Sequence, residues 1–398
     1  MEYYFSDKLA SLKPSAIREI FKSLADPNII SLAAGNPSPL SFPVEEMAAI
    51  GADIFESAPV DALQYSVTEG YPPLREAVSA RLREKFDIGR DGDMTIITSG
   101  GQQGIELACK ALCNEGDIVV CEDPSFIGAL NAFRSCGAKT VGLPVEGDGI
   151  DPEKLDRLLT ETPNAKLVYL IPTFQNPGGT TMGLEKRRAV YEVCARHGIM
   201  ILEDNPYGEL RFAGEDLPTL KSMDTEGIVL YSSSFSKILS AGIRLGYLCG
   251  PEPVVQKMVV AKQSEDVHSN IFFQMMTHRL MTAWDLDGHI ARIRALYRDK
   301  CALMLRTLDE HMPKEVTYTR PEGGLFLWMT LPPQIDMMEY VRRTLAAGVA
   351  VVPGSTFLCD TEATINAVRL NYSTPSDEDI VRGCKILADV AKEMCVKD

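Results

Sequence analysis

One lysine gives this sequence its first chemical lead. It lies in the stretch Tyr231-Ser-Ser-Ser-Phe-Ser-Lys237-Ile-Leu-Ser-Ala-Gly-Ile-Arg244, which follows the apolar residues 228–230. Serine hydroxyls and a guanidinium suit phosphate oxygens, because the guanidinium forks onto them. A lysine held among such groups can lose its proton and attack a carbonyl, forming a Schiff base. Together they describe a pocket that binds a phosphorylated aldehyde covalently. A strand, a polar turn and a surface lysine would leave the same local pattern, since serine-rich turns are common. The other residues have to decide between the two.

Pyridoxal phosphate fits that description, and its chemistry asks for further groups. A carboxylate near the pyridine nitrogen keeps that nitrogen protonated, and donors hold the phenolic oxygen. A flat side chain stacks on the ring, and an arginine grips the substrate carboxylate. Asp204, in Glu-Asp-Asn-Pro-Tyr after an apolar run, suits the first role. Tyr207 and Asn176 can donate, and Phe126 can stack. Arg369 sits among apolar neighbours in Ala-Val-Arg-Leu-Asn-Tyr, and a buried arginine needs an anion. The glycine turn Gly100-Gly101 opens a helix whose free N–H groups suit a phosphate. Each has a plainer reading. Asp204 could cap a helix, Asn176 and Tyr207 could be turn residues, Phe126 could be core, and Arg369 could belong to a structural ion pair.

The elements that must position these groups alternate along the chain. Apolar strands are predicted at 94–98, 118–121, 139–145, 166–171, 199–202 and 228–231, with 245–249 following. Helices are predicted from the proline pair Pro72-Pro73 to about Phe86, after Gly101, after Phe126, at 151–159 and at 184–197. This alternation implies a mostly parallel sheet covered on both faces. Such sheets bind ligands outside the carboxyl ends of their strands. Gly101, Phe126, Asn176, Asp204 and Lys237 all fall just after such an end. Helices at 253–263, 271–283 and 289–311 come next. A second domain has strands at 316–319, 324–330, 349–352 and 367–372, with helices at 336–347 and 377–394, the last capped by Ser376. The first 30 residues read as an arm with a short helix at 15–24.

Composition narrows the function classes. A chain of 398 residues is long enough for two closely joined domains. A net charge of −15 argues against nucleic acid and anionic membranes as partners. No apolar run is long enough to span a bilayer, and the N-terminus does not read as a secretory signal. The ten cysteines and five histidines lack metal-ligand spacing, so no metal is expected. Reduced thiols and a cytoplasmic location are expected.

Taken in order, several motifs resemble one family. They are Leu-Ala-Ala-Gly-Asn-Pro, Gln-Tyr-Ser-Val-Thr-Glu-Gly, Thr-Ser-Gly-Gly-Gln-Gln-Gly, Pro-Thr-Phe-Gln-Asn-Pro-Gly-Gly, Glu-Asp-Asn-Pro-Tyr, Ser-Phe-Ser-Lys, Gly-Ile-Arg-Leu-Gly-Tyr, Glu-Gly-Gly-Leu-Phe-Leu-Trp, Val-Pro-Gly-Ser-Thr-Phe and Arg-Leu-Asn-Tyr. From about Ile30 to the C-terminus the chain resembles the fold-type I, pyridoxal phosphate-dependent class I/II aminotransferases. It is most similar to the branch holding α-aminoadipate, kynurenine and related broad-specificity enzymes.

The resemblance implies an α/β fold with a seven-stranded, mostly parallel sheet and a smaller α+β domain. It divides the chain into an arm with part of the small domain (1–45), a large cofactor domain (46–285) and a C-terminal small domain (286–398). It makes Lys237 the Schiff-base lysine and Asp204 the partner of the ring nitrogen, and puts Asn176 and Tyr207 at the phenolic oxygen. Gly101, Gln102, Ser234, Ser236 and Arg244 become phosphate ligands. Arg369 becomes the α-carboxylate clamp, and Gly35 lines the substrate side. Tyr65 is sent to the cofactor phosphate of a second subunit, so a homodimer with shared sites is implied.

Two positions depart from common family patterns. Gly101 often carries a hydroxyl residue, and Phe126 is often tyrosine. The expected reaction moves an amino group from an L-amino acid to a 2-oxo acid, with 2-oxoglutarate the expected acceptor. Two alternatives are β-elimination from cysteine-type substrates and the ligand-sensing domain of a transcription regulator. The regulator needs a DNA-binding module ahead of the matching region, where about 30 residues stand.

Overall fold

The computed structural model describes residues 3–10 and 28–395. The helix predicted at 15–24 lies outside the described residues. Eight strands form one large sheet: β1 (Asp93–Thr98), β2 (Ile118–Asp123), β3 (Lys139–Glu146), β4 (Gly149–Ile150), β5 (Ala165–Leu170), β6 (Met200–Asp204), β7 (Val229–Ser234) and β8 (Gly246–Pro251). Their order is β1-β8-β7-β6-β5-β2-β3-β4. The sheet therefore has one strand more than the seven expected. The addition is β4, a two-residue strand that turns back antiparallel on β3. Among the other seven only β8 runs against the rest, pairing antiparallel with both β1 and β7.

Sequence dictates this arrangement through apolar runs that bury both faces. Leu167, Val168, Tyr169 and Leu170 of β5 are all fully buried, as are Val119 and Val120 of β2. Burying each such side chain contributes roughly 1.5–3 kcal/mol. Helices cover the sheet and have legible starts. Asp151 caps Pro152–Glu161 by accepting from the N–H groups of Glu153 and Lys154. The helix Leu184–His197 ends on Gly198, whose φ of 64° is one that glycine adopts freely.

A second, four-stranded antiparallel sheet contains β9 (Thr317–Tyr318), β10 (Phe326–Thr330), β11 (Val352–Pro353) and β12 (Ala367–Asn371), in the order β9-β10-β12-β11. Arg369 lies opposite both Trp328 and Val352, on the inner strand. The single strand predicted at 349–352 is split. Val349–Ala350 pairs with Ile30–Ser31 in a separate two-stranded sheet, and Val352–Pro353 joins β12. The helix Leu286–His311 runs between the parts, and Asp377–Cys395 packs along it. Three α-helices have no counterpart in the sequence reading, Asp7–Ala10, Val44–Ser57 and Pro59–Leu63. Among the described residues no helix is long and apolar enough to cross a membrane.

A buried arginine ties down the loop that follows β5. Arg187 has no exposed surface. Its guanidinium donates to the carbonyls of Met182, Pro172 and Pro218 and to the Thr173 hydroxyl, at 2.8–2.9 Å. Replacing Arg187 with Met removes all four of these bonds, and of the three carbonyls Pro172 keeps another donor, the Met182 N–H. We expect a loss of roughly 3 kcal/mol or more in chemical denaturation. A change within about 0.5 kcal/mol, the range of ordinary surface substitutions, would contradict this role.

Candidate active site

The carboxyl ends of β2, β5, β6 and β7 converge on a cavity of about 290 Å3. Lys237, Asp204, Tyr207, Asn176, Phe126, Gly101, Gln102, Ser234, Ser236, Arg244, Gly35 and Arg369 all line it. Of the residues singled out in the sequence, only Tyr65 is elsewhere. It is 81% exposed, with its ring edge-on to His268. A larger cleft of about 600 Å3 lies beside Arg81, Glu209 and Asp287 and contains none of the predicted residues. Its Arg81 is paired with both acids.

Local structure explains each placement. The strand predicted at 228–231 continues through Ser234, because Ser232, Ser233 and Ser234 pair with β8. Asp204 is likewise the last residue of β6 rather than the first of a loop. The Ser234 hydroxyl donates to Ser236 at 2.7 Å and accepts from the Ser236 N–H. Three residues past the strand, the Lys237 amine donates to the Gly35 carbonyl at 2.8 Å. The helix Gly101–Leu112 begins without a side-chain cap, so its first N–H groups are left for a ligand. Gly100, at φ 78°, lies beneath Arg244, and a Cβ there would come within 2.5 Å of the guanidinium. Gln102 donates to the Gly128 carbonyl at 2.8 Å. A side chain on Gly128 would collide with the Phe126 ring and the Gln102 amide, so this glycine keeps both in place.

Burial shapes the charges. Asp204 is raised to about 7 by burial, which its one hydrogen bond, from the Tyr169 hydroxyl at 2.7 Å, only partly offsets. Arg369 is lowered to about 10, also by burial. It donates to Asn176 Oδ1 and to the Ala33 carbonyl, and its Nε has no partner. The rings of Phe326 and Phe357 lie against its guanidinium, at 4.2 and 4.9 Å. Neither Asp204 nor Arg369 forms an ion pair among the described residues.

These features fit pyridoxal phosphate. A buried carboxylate without a cation suits the pyridinium nitrogen, and uncapped amides beside hydroxyls suit the phosphate. The unpaired arginine suits a substrate carboxylate. Sequence reasoning did not pick out Tyr169, Phe326, Ile105, Ile127 or Ile171 in the site, because apolar runs and strand interiors read as core. Among the described residues no cluster is arranged to hold a metal ion.

Burial first, then the charges of Arg369 and Arg244, lower Lys237 to about 8. Its neutral, reactive fraction therefore rises as pH passes about 8. Borohydride trapping of a small aldehyde on Lys237, followed by mass spectrometry, should show a midpoint there. Arg369→Leu should move that midpoint upward. A midpoint near the ordinary lysine value of about 10.4 in the unsubstituted protein would contradict the burial of this amine.

Comparison with known proteins agrees with the geometry. Residues 27–387 match the family model described as aminotransferase class I and II. Aromatic-amino-acid aminotransferase 1 of Thermococcus litoralis is 40% identical over 98% of this chain and 95% of its own length. The 2-aminoadipate transaminase of Thermus thermophilus is 37% identical over 98% and 96%. The crystal structure of Pyrococcus horikoshii kynurenine aminotransferase in complex with PMP superposes with a TM-score of 0.95 at 38% identity, covering 99% of this chain and 98% of that one. The chain belongs to the class I and II aminotransferases, enzymes that use pyridoxal phosphate to move amino groups between amino acids and 2-oxo acids.

Proposed function

We propose that this aminotransferase takes large apolar or aromatic L-amino acids as donors and 2-oxoglutarate as acceptor, working as a homodimer in the cytoplasm. One observation carries the proposal. An amine, a carboxylate and a guanidinium, none of them in an ion pair among the described residues, face a single cavity that also has an apolar wall. That wall includes Ile105, Phe126, Ile127, Ile171 and Phe326, which supports an apolar donor side chain. The name of the Thermococcus litoralis relative points the same way.

Pyridoxal phosphate, when bound, supplies an electron sink for breaking the α-carbon–hydrogen bond and a carrier for the amino group. In this reading Lys237 would hold it through Nζ, the same atom that would take the proton from the substrate α-carbon. Asp204 holds a proton at the ring nitrogen, with Tyr169 fixing the carboxylate from behind. Asn176 and Tyr207 donate to the phenolic oxygen, and Phe126 stacks on the ring. Gly101, Gln102, Ser234, Ser236 and Arg244 hold the phosphate. Arg369 takes the α-carboxylate. Gly35 keeps that side open, since a Cβ there would lie 3.4 Å from Phe326.

Tyr65 reaches the phosphate of the second subunit in this reading. Its exposure, with that of Val60, Leu63 and Val267 nearby, supports burial against another copy. The division of the chain at about 45 and 285 is part of the same proposal.

Kinetics should be ping-pong. Amino donors of graded size, read by cofactor absorbance in half-reactions, test the substrate class. Acidic donors outpacing every apolar one would refute it. Lys237→Ala should abolish both the coloured covalent adduct and transamination, and retention of either would remove the lysine from its role. Arg369→Ala should raise KM for α-amino acids by roughly tenfold or more, the effect of losing a charged hydrogen-bond partner. An unchanged KM across the panel would overturn the clamp.

A further inference from the structure

Lys262 is a fully buried lysine with no part in the chemistry above. Burying an ammonium group is costly unless its partners compensate closely. It lies on the helix Glu252–Glu265, and its partners are specific. Its Nζ donates to both carboxylate oxygens of Asp266, at 2.7 and 2.9 Å. It also donates to Gln103 Oε1 and Ser269 Oγ, each at 3.0 Å. Gln103 Oε1 accepts from the Ser99 N–H at 2.8 Å as well. The Ser99 hydroxyl donates to Asp266 Oδ2 at 2.6 Å.

Ser99 and Gln103 flank the turn Gly100-Gly101-Gln102, and both are tied to the Lys262–Asp266 pair. A glycine turn has many conformations open to it. This one is restrained at both ends from a helix outside the cavity. None of the restraining atoms belongs to a residue lining the cavity.

We propose that Lys262, with Asp266 and Ser99, is a positioning group for the cofactor phosphate: it sets the spacing of Ser99 and Gln103 so that the backbone amides of Gly101 and Gln102 meet that phosphate. This rests on the assignment of the phosphate to Gly101 and Gln102. Lys262 acts through the turn and touches neither cofactor nor substrate.

The role makes a selective prediction, because only the phosphate should feel it. Dissociation constants are measured for pyridoxal phosphate and for pyridoxal, which lacks the phosphate, on the cofactor-stripped full chain. The ratio of the two is the phosphate advantage. In Lys262→Met it should fall on the order of tenfold, the usual size for losing an orienting contact behind a ligand. Ser99→Ala, which leaves the Lys262–Asp266 pair intact, should lower it in the same direction. The affinity for pyridoxal itself should hold in both variants.

The proposal is overturned if the folded variants keep the ratio of the unsubstituted protein. It is also overturned if both affinities fall in equal proportion, as general loosening would produce. If Lys262→Met does not melt cooperatively, Ser99→Ala decides alone. An unsubstituted protein that binds both aldehydes equally would refute the phosphate assignment itself, and this proposal with it. A change confined to the variants concerns the positioning group only.

Discussion

A lysine amine placed in low-dielectric protein near two guanidinium groups loses affinity for its proton, and the cavity is arranged around that repulsion. Burial alone would disfavour the charged form, and Arg369 and Arg244 add to it. What the cavity lacks is anionic partners for its cations: the one acid lining it, Asp204, is occupied by the Tyr169 hydroxyl and pairs with neither. The protein alone therefore presents an incomplete set of charges. A ligand carrying a phosphate, a ring cation and a carboxylate completes it. The parallel sheet makes such a set possible by bringing residues far apart in sequence to neighbouring strand ends.

Much of this was legible in the sequence, for a physical reason. Strands buried on both faces need continuous apolar runs, and the polar residue that ends such a run stands out. Asp204 at the end of β6, Asn176 after β5 and Lys237 after β7 are all of this kind. Arg369 was legible by contrast, as a cation inside an apolar strand. Residues that support the site from within the core were not. Tyr169 has apolar neighbours in β5, and its hydroxyl finds Asp204 only once β5 and β6 pair.

The helix Val44–Ser57 escaped for another reason. Val44 and Phe55 are 66% and 49% exposed, so its apolar residues do not form one stripe against the core of this chain. The extra strand β4 is two residues long, too short for any periodicity to appear. Tyr65 has its expected role in a neighbouring subunit, where no single chain could place it.

The buried polar groups divide the same way. Arg187, Lys262 and Arg369 are each more than nine-tenths buried. The first two have a protein partner at every side-chain nitrogen and hold loops in place. Arg369 keeps an unpartnered Nε and two aromatic rings against its guanidinium. A cation that the fold leaves incompletely paired, beside others that it pairs fully, separates binding from scaffolding on structural grounds.

Arg369 belongs to the small antiparallel sheet, whereas Asp204 ends a strand of the large one and Lys237 follows another. On the proposed assignment of Arg369 to the α-carboxylate and Lys237 to the α-carbon, a bound amino acid spans the two at once. The two sheets then act on it as the jaws of a caliper. On that assignment a β- or γ-amino acid, longer between those two points by one or two bonds, is out of gauge however well its side chain suits the wall.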